Sequence, residues 1–308
     1  MRTQTVHFYS EGARIAALWR TPDDLPGRRR TIVQGPGWLG LKDARLYLRY
    51  HEALTAAGFG VLIFDYRGFG DSEGEPILSP HRQLQDLRNA VSYVATRDDA
   101  DADRVGTFGS GGTGGGNAVL LAASDERVRA AVSQLPVADG ADWLRRMRTE
   151  HEWLDFRRAL EEDRRVRVTT GQGRLVDPRE EIMMATPERR ATRVKADVDG
   201  RVPTRIPLAA VEEILHYRPV AAAATLVKPL LVIGVENDTT TPTDHAVALY
   251  EAARGPRELV LLRHTSHYAS YADYGDAMAR RIVEWFERYL CSSPLLVRSD
   301  PGLDGQRP

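Results

Sequence analysis

Residues 104–123 read RVGTFGSGGTGGGNAVLLAA. The short apolar run 105–108 meets six glycines in the eight residues from Gly109, and residues 117–123 then have the Ala/Leu-rich make-up of a buried helix. The spacing predicts a strand, a tight turn and a helix. Glycine suits a strained turn because it tolerates backbone dihedrals that other residues avoid.

Working outward, the same alternation recurs on both sides. Upstream, residues 5–9 and 14–19, separated by Ser10-Glu11-Gly12, predict a hairpin. Residues 31–34 start a buried strand that runs into Gly35-Pro36-Gly37-Trp38-Leu39-Gly40. Asp43 is a candidate N-cap for a helix to Ala57, with Gly58 as its stop. Residues 61–64 form a continuous apolar strand of the kind buried on both faces, 80–97 a helix and 98–103 a polar loop. Downstream, 128–134 is a strand closed by Pro136. The pattern breaks over 139–207, a charged block whose large apolar residues include Trp143, Trp153 and Phe156. Alternation returns near Ala209 with a strand at 230–235, a helix capped by Asp244 and running to Ala253, a last strand at 259–262 and an amphipathic helix at 275–290. Residues 292–308 predict a loose tail. Strands alternating with helices imply an α/β chain with a parallel sheet and right-handed crossovers.

Composition limits the function. A chain of 308 residues suffices for one large core, or a core plus a small inserted domain. With 42 basic against 43 acidic residues the net charge is -1, so nothing points to nucleic acid or an anionic membrane. The single cysteine, Cys291, fits a reducing compartment, and the start MRTQTVHFYS lacks the apolar stretch of a signal peptide. No apolar run approaches the roughly 20 residues of a membrane span. A cytoplasmic location is expected.

Three features together resemble the α/β-hydrolase family. Residues 104–123 are laid out like its G-x-S-x-G nucleophile elbow. Residues 65–72, DYRGFGDS, look like its D-x-R-G-x-G-x-S turn, which is structural there, so Asp65 and Ser72 are not catalytic candidates. Asp238 and His267 follow the penultimate and last strands, where the order serine, acid, histidine places the acid and the base. The resemblance covers about residues 6–290 and is strongest to bacterial relatives of X-Pro dipeptidyl-peptidase and cocaine-esterase-type hydrolases. It implies an α/β-hydrolase fold: a mostly parallel twisted sheet with helices on both faces, a core of 1–138 and 208–290, a cap at 139–207 and a tail at 291–308. It also implies an oxyanion hole with backbone donors at Trp38 and at the elbow. Counting along the strand from Gly106, the serine's place is Gly111; counting back from the helix at 117–125, it is Gly112. Neither has a side chain.

That substitution leaves several mechanisms open. Ser110 and Thr113 are candidate replacement nucleophiles, Ser110 one residue early and Thr113 two residues beyond the strand-counted apex. The expected function dispenses with both. His267 serves as general acid/base, Asp238 orients it, and the N–H groups of Trp38 and Gly112 polarise an oxygen of a small acyl or carbonyl substrate, in lyase, cyclase, isomerase or C–C coupling chemistry. One alternative is ester or amide hydrolysis by Ser110, Thr113 or a His-activated water; another is a non-catalytic ligand-binding protein. His264 competes with His267, and Glu236 with Asp238. Residues 109–114 formally match the dinucleotide fingerprint G-x-G-x-x-G, but no acid ends the next strand and the motif is not in the first βα turn. No lysine follows, which excludes a P-loop. Without H-E-x-x-H or a cysteine pair near His264 and His267, neither metal nor cofactor is expected. The expected partner is a small-molecule substrate, with no nucleic acid and no membrane; homodimer formation is left open.

Overall fold

The apolar runs predicted as buried strands form an eight-stranded sheet in the computed structural model, which describes residues 1–23, 27–184, 186–192 and 196–291. The tail expected at 292–308 lies outside the described residues. Strands β1 (Arg2–Ser10) and β2 (Ala13–Thr21) are the predicted hairpin, turning on Glu11 and Gly12 at φ 48° and 82°. They are followed by β3 (Arg29–Gly35), β4 (Gly60–Phe64), β5 (Ala100–Gly112) and β6 (Val128–Pro136). A separate two-stranded ladder, β7 (Leu175–Val176) with β8 (Ile206–Pro207), precedes β9 (Leu230–Val235) and β10 (Arg257–Leu262). The order β1-β2-β4-β3-β5-β6-β9-β10 is antiparallel at the β1-β2 and β2-β4 pairs and parallel from there on. This is the α/β-hydrolase fold.

Helices α1 (Leu48–Ala56), α2 (Pro80–Ala95) and α3 (Thr113–Ser124) connect the first strands. Between β6 and β9 the chain inserts α4 (Gly140–Arg146), α5 (Glu150–Thr170), one π-helical turn (Pro178–Ile182), α6 (Pro187–Ala191), α7 (Ala210–Leu215) and α8 (Pro219–Ala223). Helices α9 (Thr243–Ala252), α10 (Ser270–Asp273) and α11 (Gly275–Tyr289) complete the chain. On one face of the sheet Tyr50 and Leu54 of α1 and Ile282, Trp285 and Phe286 of α11 share a core with Ile32, Val61, Phe108 and Ile233. On the other, Leu87 and Val91 of α2 and Val119 of α3 share a core with Val33, Leu62 and Val232 that continues into Trp143, Leu144 and Ile182 of the insertion. Burying each such side chain is worth about 1.5–3 kcal/mol, which makes this two-sided burial the main force assembling the layers. No described helix is long and apolar enough to cross a membrane.

Two helix starts differ from expectation. Asp43 does not cap α1; it pairs with Arg201 (2.6 Å), and a short turn, Arg45–Tyr47, precedes the helix. The cause is tertiary: Asp65, at the exit of β4, accepts both the backbone N–H and the ammonium of Lys42 at 2.7 Å, which fixes the preceding loop. Similarly α9 begins at Thr243, and Asp244 instead pairs with Arg146 (2.7 Å).

Candidate active site

Strand β5 runs through Gly112 and α3 begins at Thr113, so the chain reverses at Gly111 (φ 81°) and Gly112 (φ 53°, ψ −116°). The apex is therefore the position reached by counting back from the helix. A side-chain-bearing residue there would be strained by about 1–3 kcal/mol, and glycine avoids this. Space is a separate matter. A Cβ on Gly109 would lie 1.9 Å from the Gly114 carbonyl oxygen, and one on Gly114 would lie 2.8 Å from the Gly37 Cα, so these glycines permit close packing. At Gly112 an added Cβ would meet only the Cβ of Trp38, at 3.4 Å. The bend has room for a side chain that the sequence does not supply.

The helix behind the bend is held by a buried polar network. The Tyr217 hydroxyl lies 3.0 Å from both the Thr113 carbonyl and the Asn117 Oδ1, and Asn117 donates to Gln83 (2.9 Å) and Tyr66 (3.3 Å). Burial pushes the Tyr217 phenol well above its ordinary pKa, so it stays a donor.

Asp238 and His267 meet as expected. The His267 Nδ1 lies 2.8 Å from the Asp238 Oδ2, with both side chains almost wholly buried. Asp238 also accepts the backbone N–H groups of Thr240 (2.7 Å) and Thr241 (2.9 Å) and the Thr241 hydroxyl (3.1 Å). Burial alone would raise its pKa, but the neighbouring His267 and these donors prevail and hold it below the ordinary carboxylate value. An ionised Asp238 fixes the Nδ1–H tautomer, which leaves Nε2 as the basic nitrogen. The competitors lie elsewhere: His264 is exposed, and Glu236 pairs with Arg263 (3.1 Å).

The candidate hydroxyls do not join this pair. Ser110 shares a hydrogen bond with the Tyr271 hydroxyl (2.9 Å), and Thr113 Oγ1 is buried with no hydrogen-bond partner among the described residues. Neither hydrogen-bonds His267. The backbone donors also shift. The Trp38 N–H, expected to face a substrate, donates to the Gly111 carbonyl at 3.3 Å. The next residue, Leu39, stands at φ 50°, and among the described residues its N–H has no acceptor. With the apex at Gly112, the following amide is that of Thr113, the first residue of α3, which has no acceptor within its own helix.

His267, Gly112 and Leu39 border one narrow cavity with about 30 Å³ of free space, room for a water molecule or two. Gly111, Gly112, Trp38 and Leu39 line it from the sheet side, His267, Thr240, Thr241, Tyr268 and Tyr271 from the loops after β9 and β10, and Trp143, Arg179, Met183 and Arg189 from the insertion. Trp38 and Trp143 meet edge to face at 5.0 Å, and the Trp143 indole donates to the Thr240 carbonyl (2.9 Å), so the insertion is anchored directly to the loop that carries Asp238. His245 adds a second anchor, accepting the Ala138 N–H (3.1 Å) and reaching Asp142 (2.8 Å). The two arginines were not singled out in sequence. They are ordinary members of an arginine-rich block, and only folding distinguishes them. Among the described residues no cluster of side chains suited to a metal ion occurs.

The chain is 31% identical over 301 residues to the "Uncharacterized 31.7 kDa protein in traX-finO intergenic region" of Escherichia coli, covering 93% of this chain and 99% of that one. It is 27% identical to "Acyltransferase drtE" of Aspergillus calidoustus, over 84% and 87% of the two chains. The solved structure of the α/β hydrolase GrgF from Penicillium sp. sh18 superimposes with a TM-score of 0.77 at 20% identity, over 94% of this chain and 99% of that one. The family model described as X-Pro dipeptidyl-peptidase (S15 family) matches residues 14–269. A sheet of this order, carrying its acid and histidine after the last two strands and matched over most of its length, makes the chain a member of the S15 family of α/β hydrolases.

Proposed function

We propose that the protein is an atypical α/β-hydrolase-fold enzyme for a small acyl or carbonyl compound. In it the His267–Asp238 pair moves a proton of the substrate, or of water, rather than of a protein hydroxyl. The observation that carries this reading is Gly112: it stands at the strained apex, borders the same cavity as His267, and offers no side chain. The Leu39 and Thr113 amides are the best-placed donors for a developing oxyanion: Leu39 lines the cavity and its N–H has no acceptor among the described residues, and Thr113 directly follows the apex with no acceptor within its own helix. Trp38 is then a wall of the cavity. Residues 139–207 act as its cap, and their side chains decide what enters. The chemistry is of lyase, cyclase, isomerase or C–C coupling type. A second reading, hydrolysis by a His267-activated water, is favoured by the water-sized free space in the cavity.

A fluorophosphonate probe tests the absence of a protein nucleophile. The native chain is expected to remain unlabelled, and Gly112→Ser to become labelled in a manner that depends on His267. Labelling of the native chain that disappears in Ser110→Ala or Thr113→Val would overturn the proposal.

A further inference from the structure

The insertion brings two guanidinium groups to the cavity and provides one carboxylate for both. Arg179 donates from Nη2 to Asp199 Oδ1 (2.8 Å) and from Nη1 to the Asp199 carbonyl (3.5 Å), while its Nε is buried with no hydrogen-bond partner among the described residues. Arg189 reaches the same Oδ1 only at 3.8 Å. Both side chains are largely shielded, at 18% and 15% exposure, and among the described residues they and His267 are the titratable side chains other than tyrosine on the cavity wall. The acids nearby are engaged: Asp238 by His267, and Glu188 by the Ser266 hydroxyl and the Tyr268 N–H (3.1 Å). A buried guanidinium N–H without an acceptor is costly, and a planar carboxylate is the group that satisfies such donors two at a time.

We propose that Arg179 and Arg189 form an anion subsite, so that the substrate of this cavity carries a carboxylate in addition to the group on which His267 acts. This inference rests on the proposed function for its catalytic half alone. Carboxylate binding is read without turnover, so either proposal can fail without the other.

Calorimetric titration of the full chain with hexanoate and with hexanamide provides the test. The native protein is expected to bind hexanoate at least about tenfold more tightly, the scale of one charge-assisted hydrogen bond. Arg189→Met is expected to remove this preference, and His267→Ala to keep it. Asp199→Asn separates a binding role from a bracing role: releasing both arginines from their shared carboxylate should strengthen hexanoate binding, whereas mere braces would lose it. Equal affinity for the two probes, or none for either, overturns the proposal. So does weaker binding in Asp199→Asn, or a preference that survives Arg189→Met and disappears in His267→Ala, which would make the imidazolium the anion site. Thermal melts verify that each variant is folded, and the Asp199→Asn arm decides the matter should Arg189→Met not fold.

Discussion

At the scale of single residues, His267 and Asp238 behave as a unit, because the carboxylate fixes which imidazole nitrogen carries the proton. Asp238→Asn retains shape and removes charge, so turnover is expected to fall about 10³- to 10⁴-fold with little change in KM, measured once a substrate is in hand. The same residue has a pH signature. Its folded-state pKa lies below the ordinary 3.8, so the stability it contributes is full above that value and is lost as pH falls through the lower folded value. Acid unfolding followed by circular dichroism should therefore be less steep below pH about 4 in Asp238→Asn than in the native chain. Gly112→Ala probes the strain alone: it should cost about 1–3 kcal/mol of stability by denaturant titration without disturbing the cavity, since the added Cβ meets only Trp38. Both members of the acid–histidine pair were legible through the family resemblance, which puts an acid and a histidine after the last two strands; their contact in the fold separates them from the competitors Glu236 and His264. The apex was not. Residues 111 and 112 are both glycine, and only the dihedral angles of a strand running through Gly112 decide between them.

At the scale of elements, the site depends on how α3 is seated. Tyr217, from the chain between α7 and α8, reaches over to Thr113 and Asn117 and ties the first turns of α3 to the insertion. Tyr217→Phe removes the one O–H that the Thr113 carbonyl and the Asn117 Oδ1 share, and thermal denaturation should show a loss of about 1–3 kcal/mol. The strands and most helices were legible from apolar runs, because strands buried on both faces need continuous Val, Ile, Leu and Phe. Both misplaced helix starts reflect contacts that exist only in the folded chain. Local capping preference favoured Asp43 and Asp244, yet each forms an ion pair with an arginine distant in the sequence, Arg201 and Arg146, which no local pattern reveals. The expected Trp38 donor shifts for a related reason: its N–H donates to the carbonyl of Gly111 at the end of β5, a contact between segments that meet only after folding.

At the scale of the whole molecule, the cavity beside His267 has about 30 Å³ of free space, room for water rather than an organic molecule, so the proposed function predicts that the insertion moves relative to the sheet during turnover. Hydrogen exchange should find the amides around Arg179 and Arg189 opening far more readily than those of β5 and α3, and hexanoate should slow the former selectively; uniform protection of both regions would count against such movement. That segment was the least legible part of the chain. Its long helix α5 is densely charged and its other helices are short, so no apolar periodicity marks which side chains reach the cavity. The roomy bend at Gly112 has one more consequence. On the second proposed reading, with a His267-activated water and no protein nucleophile, the acyl acceptor would arrive by diffusion, so added methanol or a small thiol should compete with water for the acyl group. Solvent composition would then determine which product forms, and the partition ratio between them would measure how selectively the fold chooses its incoming nucleophile.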